Sequence, residues 1–198
     1  MQIIPTVTEK EWSKAEKRLV TVREMSRWAQ IDVIDGKFCE GKSFELENLK
    51  VWEWAEKMLW DIHLMVKEPI KWIEKCMFVG ASRIVGQVEM MDDLGKFVSR
   101  IKDMGLEAGV AFDIGTKIEK VPKDTDWVLL MGRKAGFGQF ELDKLVFEKI
   151  VRVKEMGFKV SVDGGVDAKN IRQLEEAGVD IIYSGSNFIK IYADRNRN

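Results

Sequence analysis

Three polar side chains stand inside otherwise apolar runs of this sequence: Asp32 in Gln30-Ile31-Asp32-Val33-Ile34-Asp35-Gly36, His63 in Asp61-Ile62-His63-Leu64-Met65-Val66, and Asp163 in Ser161-Val162-Asp163-Gly164-Gly165-Val166. Two carboxylates and an imidazole are groups that move protons or hold a divalent cation. Each run reads as a strand of a parallel sheet, and an acid at the carboxyl end of such a strand opens into the crevice where α/β proteins bind ligands. Gly164 and Gly165 let a ligand approach the backbone closely. Asp32, His63 and Asp163 are therefore expected to meet at one site.

The elements that must position these groups follow a repeating plan. Strands are expected over Gln2 to Val7, Trp28 to Ile34, Met58 to Val66, Ser82 to Val88, Leu106 to Phe112, Trp127 to Met131, up to Asp163, and Val179 to Tyr183. Between them run helix-like stretches: Glu9 to Leu19, an amphipathic segment from about Phe44 to Lys57, Pro69 to Val79, Leu94 to Met104 and Leu142 to Val153, then one capped by Asp167 and a short last helix from about Asn187. Leu94, Phe97, Val98, Ile101 and Met104 recur at helical steps, and Gly80, Gly105, Gly157 and Gly178 each follow a helix as a left-handed stop. Eight βα units of roughly 25 residues fill a chain of 198 residues, which predicts one (β/α)8 TIM-barrel domain over residues 1–198, with its site at the carboxyl-terminal rim. An open doubly wound sheet fits less well, because no GxGxxG follows the first strand.

Composition narrows the functional classes. With 32 basic residues against 33 acidic and a net charge of -1, no broad field marks a nucleic-acid or membrane partner, so an anion must be bound locally. The first residues reach Glu9, Lys10 and Glu11 without a long apolar region, and a cytoplasmic location is expected. Cys39 and Cys76 form no CxxC pair and are expected as reduced thiols; a catalytic Cys39 would have only His63 to activate it. Asp35, before Gly36, reads as a turn residue.

Six stretches, Ile31 to Gly36, Asp61 to Val66, Gly109 to Thr116, Met131 with Gly136-Phe137-Gly138, Val162 to Val166 and Ser184-Gly185-Ser186, occur in an order and near a spacing that resemble the ribulose-phosphate 3-epimerases. The resemblance covers nearly the whole chain. It implies a phosphate-binding barrel in which one aspartate removes the C3 proton of ribulose 5-phosphate and a second reprotonates the enediolate from the opposite face, giving xylulose 5-phosphate. Asp32 and Asp163 match the acid/base positions. A divalent cation, zinc, manganese, iron or magnesium, is implied, with Asp32, His63 and Asp163 matching three ligands; no organic cofactor is. Gly164, Gly165, Gly185 and Ser186, with Gly138 and Gly136 of the strand-six loop, match the phosphate and substrate contacts, and Met65 and Met131 the apolar lining of the reaction face.

The departures from that pattern are specific. The fourth family ligand, a histidine, is Gln30, whose amide oxygen is a neutral and poorer donor that shifts preference from zinc towards magnesium or manganese. A second histidine position, on strand four, is Gln87. Lys134-Ala135 replaces Asn-Pro, and Gly138 is followed directly by Gln139. The expected ligand is a small phosphorylated sugar, with a homo-oligomer left open. The alternatives are an enediolate lyase or decarboxylase of the same barrel type, such as a hexulose-phosphate synthase, and a phosphosugar-binding barrel without turnover.

Overall fold

A computed structural model describes residues 1–138 and 141–195 of the chain; Gln139 lies outside them. Eight parallel strands close a barrel in sequence order: β1 (Gln2–Val7), β2 (Trp28–Ile34), β3 (Leu59–Met65), β4 (Ala81–Gln87), β5 (Glu107–Phe112), β6 (Trp127–Met131), β7 (Lys159–Asp163) and β8 (Ile181–Ser184), with β8 pairing back onto β1. The helices are α1 (Trp12–Val22), α2 (Asn48–Val51), α3 (Ile73–Phe78), α4 (Leu94–Asp103), α5 (Leu145–Glu155), α6 (Ile171–Glu176) and α7 (Phe188–Arg195). Among the described residues, no helix is long and apolar enough to cross a membrane.

The strands are buried almost end to end, as expected where a parallel sheet is covered by helices outside and filled by side chains within. One apolar cluster lies between barrel and helices and includes Leu19, Ile62, Phe97, Ile101, Ile150 and Val162. A smaller one fills the barrel with Ile4, Met65, Val85, Ala111, Trp127, Leu129, Met131 and Tyr183. Trp127 fits because β5 carries Gly109 beside it: a β-carbon there would stand 2.6 Å from the indole, far inside contact distance. Glycine here is required by space, since its φ is ordinary.

The glycine stops at Gly80, Gly105, Gly157 and Gly178 all adopt positive φ, as their sequence positions require. Two helical segments are shorter than their periodicity. From Phe44 to Lys57 only α2 and a single 3-10 turn at Ala55–Lys57 form; Phe44, Leu46, Leu49 and Trp52 are buried one after another as anchors of a loop. Pro69 opens a 3-10 turn through Trp72 before α3 begins, with Glu68 ahead of it in a left-handed backbone conformation (φ 53°). α5 starts at Leu145, after the Asp143 carboxylate accepts from the Leu145 N–H.

Candidate active site

The register of the barrel brings the three chemical groups together. Asp32 is paired with His63 across β2 and β3, and Met131 with Asp163 across β6 and β7. Side chains alternate along a strand, so Asp32, His63 and Asp163 point into the barrel near its carboxyl-terminal rim. His63 Nδ1 lies 3.0 Å from Asp32 Oδ1 and 3.6 Å from Asp163 Oδ2. His63 is fully buried, whereas Asp32 and Asp163 keep 4% and 6% of their surface exposed, enough to meet a ligand from above.

The surroundings hold these groups in place. The Thr8 hydroxyl donates to Asp32 Oδ2 at 2.5 Å. On the other side of the imidazole, the Gln87 amide meets Nε2 at 3.1 Å; with its oxygen turned to the ring, Gln87 accepts the Nε2 proton while its nitrogen donates to Ala111 O and Glu89 Oε2. That orientation satisfies every partner and leaves Nδ1 directed at the two carboxylates. Below, Tyr183 Oη donates to Asp61 at 2.5 Å in the fully buried floor.

Charge is unbalanced here. Burial alone would lower the pKa of His63, but hydrogen bonds to Asp163 and Asp32, reinforced by their charges, raise it to about 9. Asp163 is pushed up, first by burial and then by the charge of Asp32, against the opposing pull of His63 and Arg133. Two carboxylates thus share one imidazolium and favour a further proton or cation.

The same three residues offer donor atoms within 4.8 Å of one another. Donors about 2.0–2.2 Å from a tetrahedral cation would lie roughly 3.3–3.6 Å apart. The 3.0 and 3.6 Å separations from His63 straddle that range, so the residue types and their spacing fit a divalent ion that displaces the Nδ1 proton. Gln30 is arranged differently: its Oε1 accepts from Thr6 Oγ1 at 2.8 Å, and its buried Nε2 has no partner among the described residues.

Above the cluster opens a cavity of about 500 Å³. It is lined by Asp32, Met65, Met131, Gly136, Gly138, Asp163, Gly164, Gly165, Gly185 and Ser186, so the sequence-predicted contacts reach one space, with His63 sealed beneath it. Gly164 and Gly165 adopt φ of +91° and +74°, and a β-carbon at Gly165 would collide with the backbone of Leu142 at 2.6 Å. The strand-six loop is pinned where Asp113 accepts from the Ala135 N–H at 3.0 Å, and Phe137 sits beneath Lys10 at 5.0 Å. Arg133, also on the cavity wall, donates to Lys134 O and Gly136 O.

Several contributors escaped the sequence. Thr8 follows the first strand directly, a position that could have marked it, but Gln87 stood out only as a missing histidine, and Arg18, which also lines the cavity, lies in an unremarkable helix. Cys39 is held towards the thiol form: burial, with Asp32, Asp35 and Asp113 nearby, pushes its pKa up to about 11. Asp35 is structural, accepting from the N–H groups of Lys37 and Lys67.

Known proteins share both the sequence pattern and the shape. A ribulose-phosphate 3-epimerase from Treponema pallidum is 26% identical over 94% of this chain and 90% of its own length. One from Chlamydia pneumoniae is 32% identical over 81% of this chain and 75% of its own. Among solved structures, KGPDC from Streptococcus mutans superposes with a TM-score of 0.71 at 12% identity, covering 99% of this chain and 97% of that one. A mutant tryptophan synthase alpha-subunit from Pyrococcus furiosus does so with 0.71 at 17% identity, over 99% and 91%. These two likenesses concern the barrel alone. The Ribulose-phosphate 3 epimerase family profile matches residues 2–189, and the chain belongs to that family of isomerases.

Proposed function

We propose that the protein inverts the configuration at C3 of a ketose phosphate, interconverting ribulose 5-phosphate and xylulose 5-phosphate. The observation that carries this reading is the convergence of Asp32 and Asp163, from β2 and β7, on one cavity next to a glycine-lined anion seat. Inversion needs a base on one face of the reacting carbon and an acid on the other.

For one direction of reaction, Asp32 takes the C3 proton while Asp163, which burial pushes towards its protonated form, returns a proton from the opposite face; in reverse the roles exchange. His63 orients both carboxylates and offsets their charge. Met65 and Met131, both buried, exclude water from the face where the enediolate forms. A divalent cation held by Asp32, His63 and Asp163 would supply electrostatic stabilisation of the negative charge that develops on the substrate oxygens. Gln30, two residues before Asp32 on β2 and with its buried Nε2 unpartnered among the described residues, is the further residue that would hold such a cation. The phosphate is assigned to the backbone around Gly164, Gly165, Gly185 and Ser186, with Gly136 and Gly138 closing over the sugar.

Incubating the protein with ribulose 5-phosphate and added divalent metals in D2O tests this reading. Deuterium at C3 together with xylulose 5-phosphate is the expected result. Absence of both, under metals that the protein demonstrably binds, refutes it.

A further inference from the structure

The anion seat carries a side-chain cation that its glycines did not foretell. Arg18 lies on α1, whose amino-terminal end stands at the carboxyl-terminal rim of the barrel because α1 follows β1 directly. Helical side chains lean towards the helix amino terminus, so Arg18 reaches up to the rim rather than out to solvent. It lines the cavity together with Asp32, Gly165, Ser184, Gly185 and Ser186. Its Nη2 passes over β8's end, 3.8 Å from where a β-carbon of Gly185 would stand.

Two further observations bear on what Arg18 is for. The side chain is 28% exposed, its Nε is buried without a hydrogen-bond partner among the described residues, and its ion pair with Glu9 is long, 3.9 Å from Nη1. A half-buried guanidinium that has only a long ion pair to Glu9 and an Nε with no hydrogen-bond partner among the described residues keeps donors available for an anion. Ser184, in the same cavity, also holds a buried hydroxyl oxygen with no partner among the described residues. Arg18 and Ser184 thus border Gly185 and Ser186, two of the residues to which the phosphate is assigned above.

We propose that Arg18 is a specificity-determining residue that binds the phosphoryl group of the substrate through its guanidinium, with the Ser184 hydroxyl as a second contact, so that a phosphorylated sugar is selected over the free sugar by a charged side chain as well as by backbone N–H groups. The assignment of that group to a ketose phosphate rests on the epimerase reading; the anion site itself does not.

The test uses inorganic phosphate as the probe, with binding to the whole protein measured by calorimetry and by the rise in melting temperature. Arg18→Gln is expected to weaken phosphate binding about 10- to 100-fold, as loss of a charge-assisted hydrogen bond does. Arg18→Lys, which keeps the charge and loses the fork, is expected to fall between. In turnover, Arg18→Gln raises KM for ribulose 5-phosphate by a similar factor with kcat little changed, and leaves the response to unphosphorylated ribulose unaltered. Wild-type phosphate affinity in Arg18→Gln, or no phosphate binding by the wild-type protein, overturns the proposal. Should Arg18→Gln fail to fold, Arg18→Lys decides: intermediate affinity supports the proposal and wild-type affinity overturns it. If no variant turns over ribulose 5-phosphate yet phosphate binding falls in Arg18→Gln, the epimerase reading fails and the Arg18 site stands.

Discussion

Gln87 and His63 face each other at 3.1 Å in the barrel interior, with the amide oxygen accepting the Nε2 proton of the imidazole. The contact fixes which ring nitrogen remains for the carboxylates and for a metal. Gln87→Leu removes the acceptor and strands a buried N–H, which costs about 1–3 kcal/mol of stability. Metal affinity should fall about 10- to 100-fold, as measured by titration against a fluorescent chelator. Gln87→Glu, which keeps an acceptor, should retain more of that affinity.

The two aspartates are predicted to be separable by isotope. In Asp163→Asn, net epimerisation should fall by about 10²–10⁴, the usual contribution of a positioned acid or base. C3 exchange with D2O should survive better for the epimer whose proton faces Asp32, and the reverse pattern should hold for Asp32→Asn. Equal loss of exchange from both epimers in both variants would count against a two-faced proton transfer. The measurement is NMR of each epimer at early times.

Asp61 is a fully buried anion under the site, accepting from Tyr183 Oη at 2.5 Å, with Arg83 Nη1 at 3.7 Å. Removing one member of such a group leaves the others without a partner. Asp61→Ala should therefore destabilise the fold by about 3–5 kcal/mol in chemical denaturation. Asp61→Asn, which can still accept from Tyr183, should cost clearly less.

Cys39 gives a pH prediction with a defined sign. Its pKa, pushed to about 11 by burial and neighbouring acids, lies above the ordinary thiol value of 9.0. The folded state thus favours the thiol, and that contribution is complete below about pH 9 and lost as pH rises towards 11. Iodoacetamide should label Cys39 slowly at pH 8 and much faster near pH 11, and Cys39→Ser should leave turnover unchanged. Rapid labelling of Cys39 at pH 7 in the folded protein would contradict the environment described.

Much of this was legible because strand ends and helix stops carry strong local signals. The eight strands follow apolar runs, and Gly105 and Gly157 stop their helices because the backbone there needs positive φ. Asp32, His63 and Asp163 could be placed at one site because barrel registration leaves few alternatives for inward-facing residues at strand ends. Loops were harder: the apolar spacing of Phe44, Leu46, Leu49 and Trp52 resembles a helix face, yet tertiary burial of single anchors satisfies it without one. Arg18 was invisible for a different reason. A basic residue in an amphipathic helix is ordinarily solvated, and only the position of its Nη2, 3.8 Å from a β-carbon built at Gly185 just past β8, shows where its long side chain ends.

The indole of Trp127, seated in the gap left by Gly109 and overlain by the Arg83 guanidinium at 5.8 Å, stoppers the amino-terminal half of the barrel. Among the described residues, the well above it is accordingly closed at that end. A ligand that enters this well would have to leave by the rim through which it came, beside Phe137, with no through-flow along the barrel axis.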